Sequence, residues 1–167
     1  ESLSNVTVLC TDKTGTLTAN RIRYHSVHPI GVEKTELERL LASFAASASA
    51  VNKTTEAIIQ ALPETARTVS DEVPFSSQRK WSAVAFDDRG SEERAPLRGT
   101  YVLGAMEMLQ PYLTTDADAR QQAEQWSSDG LRVVAFARNT EQTFSYDGAN
   151  EPILPQLTLL GIVSFSD

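Results

Sequence analysis

Asp12 ends a run of apolar and β-branched residues, Val6-Thr7-Val8-Leu9-Cys10-Thr11, and opens the loop Lys13-Thr14-Gly15-Thr16-Leu17-Thr18. An aspartate before a glycine-containing loop ordinarily does no more than start a turn. At the carboxyl end of a strand in an open α/β sheet it sits where ligands bind, and a carboxylate presented there can attack phosphorus. Lys13 brings a positive charge, Gly15 allows a tight turn, and Thr14, Thr16 and Thr18 offer hydroxyls and amides to phosphate oxygens. A second group with legible chemistry is Pro74-Phe75-Ser76-Ser77-Gln78-Arg79-Lys80-Trp81. It combines an aromatic face, on which a planar base can stack, with two adjacent cations.

The heptad Asp12-Lys13-Thr14-Gly15-Thr16-Leu17-Thr18, preceded by Cys10-Thr11, resembles the phosphorylation motif of the P-type ATPases. The resemblance implies that Asp12, Lys13 and Thr14 are catalytic, with Asp12 taking the γ-phosphate of ATP, and that Mg²⁺ is held by Asp12 and the Thr14 carbonyl. Related phosphatases of the haloacid-dehalogenase type carry a second aspartate two residues after the nucleophile, where this chain has Thr14. Lacking that acid/base group, an aspartyl phosphate should persist, which suits a pump better than a phosphatase.

Other stretches are similar to the nucleotide-binding domain that the family inserts after this loop. Asn52-Lys53-Thr54-Thr55-Glu56-Ala57 resembles a segment whose glutamate, here Glu56, lies near the adenine amino group. The residue-level alternative for Glu56 is a solvated charge complementing a helix dipole. Phe75, Arg79 and Lys80 fall in a segment implied to hold the base and bring positive charge. Gly104-Ala105-Met106-Glu107 resembles the K-G-A-x-E turn, with Leu103 in the lysine's place. Gly130-Leu131-Arg132 starts a strand in which the resemblance implies that Arg132 reaches the phosphates. The expected cofactors are therefore ATP and Mg²⁺.

These residues need elements to carry them. A strand is expected over 22–28, with His25 and His28 on opposite faces and thus no shared metal. Thr35 as N-cap, with Glu38 completing a capping box, predicts a helix to about Ala50; a second runs from Thr54 or Thr55 to Leu62, stopped by Pro63. Strands are expected over 72–75, 80–86 and 97–103, the last two joined at Asp88-Arg89-Gly90-Ser91. A short helix over 105–109, a longer one from Asp116 closed at Asp129-Gly130, a buried strand over 131–137, a polar surface hairpin or linker over 139–155 and a final strand over 157–165 complete the chain.

Together with these elements, the resemblance implies the fold class and the domains: α+β, an antiparallel sheet flanked by helical hairpins, with terminal strands from a haloacid-dehalogenase-like phosphorylation domain. Residues 1–19 and 156–167 are expected to be two stubs of that domain, and 20–155 the nucleotide-binding domain. The chain has 167 residues, 41% of them hydrophobic, enough for one packed domain. With 15 basic against 22 acidic residues its net charge is −7, which disfavours nucleic acid as a partner. Cys10 is the sole cysteine, so no intramolecular disulfide forms. No run reaches the length of a membrane span. The expected protein is a cytoplasmic-side segment of a cell-membrane cation pump, an ion-translocating ATP hydrolase, whose partners are ATP and the phosphorylation, actuator and transmembrane domains. The segment alone should bind nucleotide without turning it over. Two other classes stay open: a soluble haloacid-dehalogenase-type phosphatase and a non-catalytic interaction module.

Overall fold

The computed structural model describes residues 21–114 and 117–167. The expectations on Asp12, Lys13, Thr14 and the 1–19 segment, and the helix start at Asp116, lie outside the described residues. In chain order the elements are β1 (Arg23–Pro29), α1 (Lys34–Ser47), α2 (Lys53–Ala61), β2 (Val69–Val73), β3 (Trp81–Asp88) and β4 (Leu97–Gly104). There follow a short α3 (Met106–Leu109) running into a 3-10 turn (Gln110–Tyr112), then α4 (Ala117–Ser128), β5 (Arg132–Asn139), β6 (Ser145–Tyr146), β7 (Pro152–Ile153) and β8 (Thr158–Ser166).

Six strands form one sheet in the order β1-β8-β5-β4-β3-β2, every neighbouring pair antiparallel, while β6 and β7 make a separate small hairpin. Period-two alternation sends large side chains to one face and small ones to the other. Val84, Phe86, Tyr101, Leu103 and Phe136 meet Leu37, Leu40, Leu41 and Phe44 of α1 and Ile58 of α2 in one core. Those four α1 positions follow helical spacing, so the helix buries a single stripe. The Phe44 and Phe136 rings meet edge to face, with centroids 5.6 Å apart at 78°. On the opposite face Ala83, Ala85, Ala135 and Ala137 pack with Leu109, Ala119, Phe144 and Leu154.

α1 begins one residue before Thr35, with Glu33 at the N-cap and no side-chain cap. The expected Thr35–Glu38 box does not form, because Glu38 instead accepts the Tyr24 hydroxyl at 2.5 Å. Burial, followed by that bond and the Glu38 charge, raises the Tyr24 pKa. The capping box belongs to α2, where the Asn52 side chain accepts the Thr55 N–H and the Thr55 hydroxyl accepts the Asn52 N–H, both at 2.9 Å. β2 lies earlier than expected: Pro74 has no N–H to give a ladder, so pairing stops at Val73 and Phe75 is left in a loop. Gly130, at φ +87, ends α4 as the pattern predicts.

The closing strand forms as β8, but it is not set apart from the sheet. It is hydrogen-bonded to β1 on one side and β5 on the other. Residues 158–166 thus complete the same sheet that β1 and β5 begin, which the local composition of 156–167 gives no means of seeing.

Candidate functional site

Antiparallel pairing brings the starts of β3 and β5 and the ends of β4 and β8 to one end of the sheet. Trp81 faces Gly104, Gly104 faces Ala135, and Arg132 faces Phe165. At that end Ser82, Leu103, Val134 and Phe165 share the face covered by α1 and α2. The N-terminus of α2, Asn52 to Thr54, closes over them. Between these parts lies a cavity of about 520 Å³, within the ~300–1,000 Å³ range of small-molecule sites.

The loop between β2 and β3 supplies its outer wall. The Lys80 N–H donates to the Ser76 carbonyl at 2.7 Å and the Arg79 N–H to the Ser76 hydroxyl at 3.1 Å, so residues 76–80 curl into a compact turn. Lys80 takes φ +60, an uncommon conformation for a side-chain-bearing residue. Gly104 makes this possible: a Cβ there would lie 2.3 Å from the Trp81 Cβ and 2.6 Å from the Lys80 carbonyl oxygen. Phe75 is 49% exposed, the reverse of a core phenylalanine, and its ring stands between the main cavity and a smaller one of about 190 Å³.

Of the residues singled out in the sequence, Phe75, Lys80, Gly104, Ala105 and Arg132 line the main cavity. Arg79 does not. Its guanidinium donates to the Pro74 carbonyl at 2.9 Å, stands 5.5 Å from the Trp81 ring centroid and comes within 3.8 Å of Glu151. It therefore braces the loop from behind. Glu56 is exposed on α2 and also lies outside the lining. Sequence reasoning missed Lys53, Thr54, Ser82, Val134 and Phe165. The Asn52–Thr55 box was a usable signal for the first two, while the others converge only through strand register.

Among the described residues, three cations, Lys53, Lys80 and Arg132, line the cavity and no carboxylate does. The Arg132 side chain is 65% exposed and its Nε is 3.9 Å from an equally exposed Asp167 carboxylate, a screened pair of little strength that leaves the guanidinium able to turn to another anion. The positive end of the α2 dipole adds to this potential. On a chain of net charge −7, the cavity is a local basic site with an apolar floor of Leu103, Val134 and Phe165. Such a site suits a ligand with a flat apolar part and an anionic part. Among the described residues there is no cluster of three metal-ligating side chains, and no helix is long and apolar enough to cross a membrane.

No family model matches the chain. The calcium-transporting ATPase CtpE of Mycobacterium tuberculosis is 35% identical to it over 140 residues, 82% of this chain and 16% of that protein. The probable cation-transporting ATPase exp7 of Streptococcus pneumoniae is 31% identical over 167 residues, 98% of this chain and 19% of that protein. Among solved structures, a zinc-transporting PIB-type ATPase shares the fold with a TM-score of 0.60 at 21% identity, over 92% of this chain and 20% of that one. The chain thus spans less than a fifth of the curated relatives it matches. Aligned along almost its whole length with a cation-transporting ATPase and folded like part of a PIB-type structure, it belongs to the P-type ATPase family, as a segment of that family's longer chains.

Proposed function

We propose that the cavity binds the nucleotide of ATP, and that the chain is the ATP-binding segment of a cation-transporting pump in which Asp12 becomes phosphorylated. The observation that carries this reading is the pairing, among the described residues, of an exposed aromatic, Phe75, with three cations and no carboxylate around a cavity of about 520 Å³. In it the base lies against Phe75 over the apolar floor, while Lys80 and Arg132 draw the phosphates toward the rim. The phosphorylation loop then meets the γ-phosphate as the domains close. An Asp12 carboxylate oxygen bonds to the γ-phosphorus, the bond to the β,γ-bridging oxygen breaks, and ADP leaves. Mg²⁺ would be held by the Asp12 carboxylate and the Thr14 carbonyl, both outside the described residues, and would supply charge neutralisation for that transfer.

The proposed partners are the remaining phosphorylation, actuator and transmembrane domains of a membrane pump, with this segment on the cytoplasmic side. Pairing of β8 between β1 and β5 supports a nucleotide-binding unit of residues 20–166, with 1–19 belonging to the phosphorylation domain and the return to it at about Asp167. Calorimetric titration of the chain with ATP tests the reading, with Phe75→Ala as control. Binding by the parent and loss in the variant is the expected result. Equal binding by both contradicts the site.

A further inference from the structure

Beside the main cavity lies the smaller one of about 190 Å³, and the two share Asn52, Phe75 and Ser82 as a common wall. Strand register explains much of its lining. Glu72 faces Val84 across β2 and β3, and Ser82 lies two positions before Val84, so all three project to the face that α1 and α2 cover. The linker between those helices supplies Ala48, Ala50, Val51 and Asn52.

The two cavities differ in charge. Lys53, Lys80 and Arg132 line the main one, whereas among the described residues the smaller has no cation in its lining and one carboxylate, that of Glu72. Both Glu72 oxygens accept the Ser49 N–H, at 3.2 and 3.0 Å, which orients the carboxylate and leaves further acceptor sites on each oxygen. Among the described residues Glu72 stands in no ion pair. A charge pointing inward at a sheet edge also discourages edge-to-edge pairing, and β2 is an edge strand. That role requires no cavity. Here the carboxylate shares one with the apolar side chains of Ala48, Val51 and Val84 and with Phe75, whose ring attracts cations at its face.

An apolar wall, an aromatic ring and one oriented anion together fit an organic cation with a short alkyl body. The alkyl part displaces water from the wall, and the ammonium donates to the carboxylate. A bare metal ion is a poor match, because one carboxylate among apolar groups cannot replace its shell of oxygen ligands. We propose that the smaller cavity is a binding site for a short primary alkylammonium, held between the Glu72 carboxylate and the Phe75 ring.

The test is titration of the ¹⁵N-labelled full chain, without nucleotide, with isobutylammonium and with isobutanol, its neutral counterpart of the same shape. The amine should shift the amides of Ser49, Val51, Glu72 and Phe75 and bind at least about tenfold more tightly than the alcohol. Glu72→Gln keeps an oxygen for the Ser49 N–H and removes the charge, so it should bring the amine down to the alcohol's affinity while the alcohol binds as before. Asp71→Asn removes an equal charge from the adjacent residue, which does not line the cavity, and should change neither. Four results each overturn the proposal: equal affinity for amine and alcohol in the parent, an amine preference that survives Glu72→Gln, an equal loss on Asp71→Asn, or amine shifts centred on Lys53, Lys80 and Arg132. Because no nucleotide is present, the outcome is independent of whether the main cavity binds ATP.

Discussion

The Ala105 N–H donates to the Lys80 carbonyl at 3.0 Å, tying the turn after β4 to the residue that enters β3. Two segments 25 positions apart in sequence thereby form one wall of the cavity, and each depends on the other's backbone. Lys80 keeps its left-handed φ of 60° only while this contact and its own bond to Ser76 hold.

Gly104→Ala tests that wall. The added methyl meets the Trp81 Cβ and the Lys80 carbonyl, which are parts of the adjoining strand and cannot swing aside. Urea unfolding should show a loss of about 1–3 kcal/mol, the usual cost of overpacking. Ligand affinity should fall as well, since the strands can separate only by deforming the wall.

Phe75→Ala should remove stacking worth about 1–3 kcal/mol from a total near 4, the equivalent of roughly millimolar affinity, and so abolish detectable ATP binding. Because Phe75 is half exposed, thermal stability should change little.

Arg79→Ala should behave in the opposite way. The guanidinium contacts the Pro74 carbonyl and the Trp81 ring and does not line the cavity, so the change should cost about 1–2 kcal/mol of stability, with the exposed Glu151 pair contributing little. Arg132→Ala should leave stability nearly unchanged but weaken ATP more than AMP, as expected for a contact to the phosphates. Paired denaturation and titration curves for the two variants check this.

Asp88 gives the fold an acid limit. Its carboxylate accepts the Gly90 N–H at 2.7 Å and the Thr68 N–H at 3.1 Å, and these bonds, with smaller help from Arg67 and Arg94, hold its pKa below the ordinary 3.8. The folded state therefore takes up this proton less readily than the unfolded one. Its stabilisation is complete above about pH 4 and disappears as pH falls through the lower folded value. Asp88→Asn should show a shallower loss of stability below pH 4 than the parent in acid-titrated thermal melts.

Asp12→Asn should leave ATP binding to this chain unchanged, because among the described residues the cavity is lined from Asn52 to Phe165 and the phosphorylation loop is proposed to belong to a separate domain. In an intact pump it should eliminate the phosphoenzyme. Persisting hydroxylamine-sensitive phosphorylation would remove Asp12 as the nucleophile.

What could be read from residues alone was local. The β3–β4 hairpin was legible from Asp88-Arg89-Gly90-Ser91, the end of α4 from Gly130, and the exposure of Phe75 from its Pro and Ser neighbours. Contacts across the sheet were not. Phe165 reaches the cavity because it pairs with Arg132 across β5 and β8, and Ser82 because it faces Leu103. No periodicity within one strand fixes which strand lies beside it. Arg79 and Lys80 are adjacent cations with the same apparent chemistry, yet the turn on Ser76 directs one to Pro74 and Trp81 and the other to the cavity.

The most direct measurement is an ATP titration of ¹⁵N-labelled chain followed by amide shifts. The account predicts that the largest changes cluster at Asn52, Lys53 and Thr54, at Phe75 to Lys80, at Gly104 and Ala105, and at Arg132 to Val134. Shifts centred instead on the polar depression between His28 and the α4 glutamines Gln121, Gln122 and Gln125, on the far side of the sheet from α1 and α2, would contradict it, as would no shift at all.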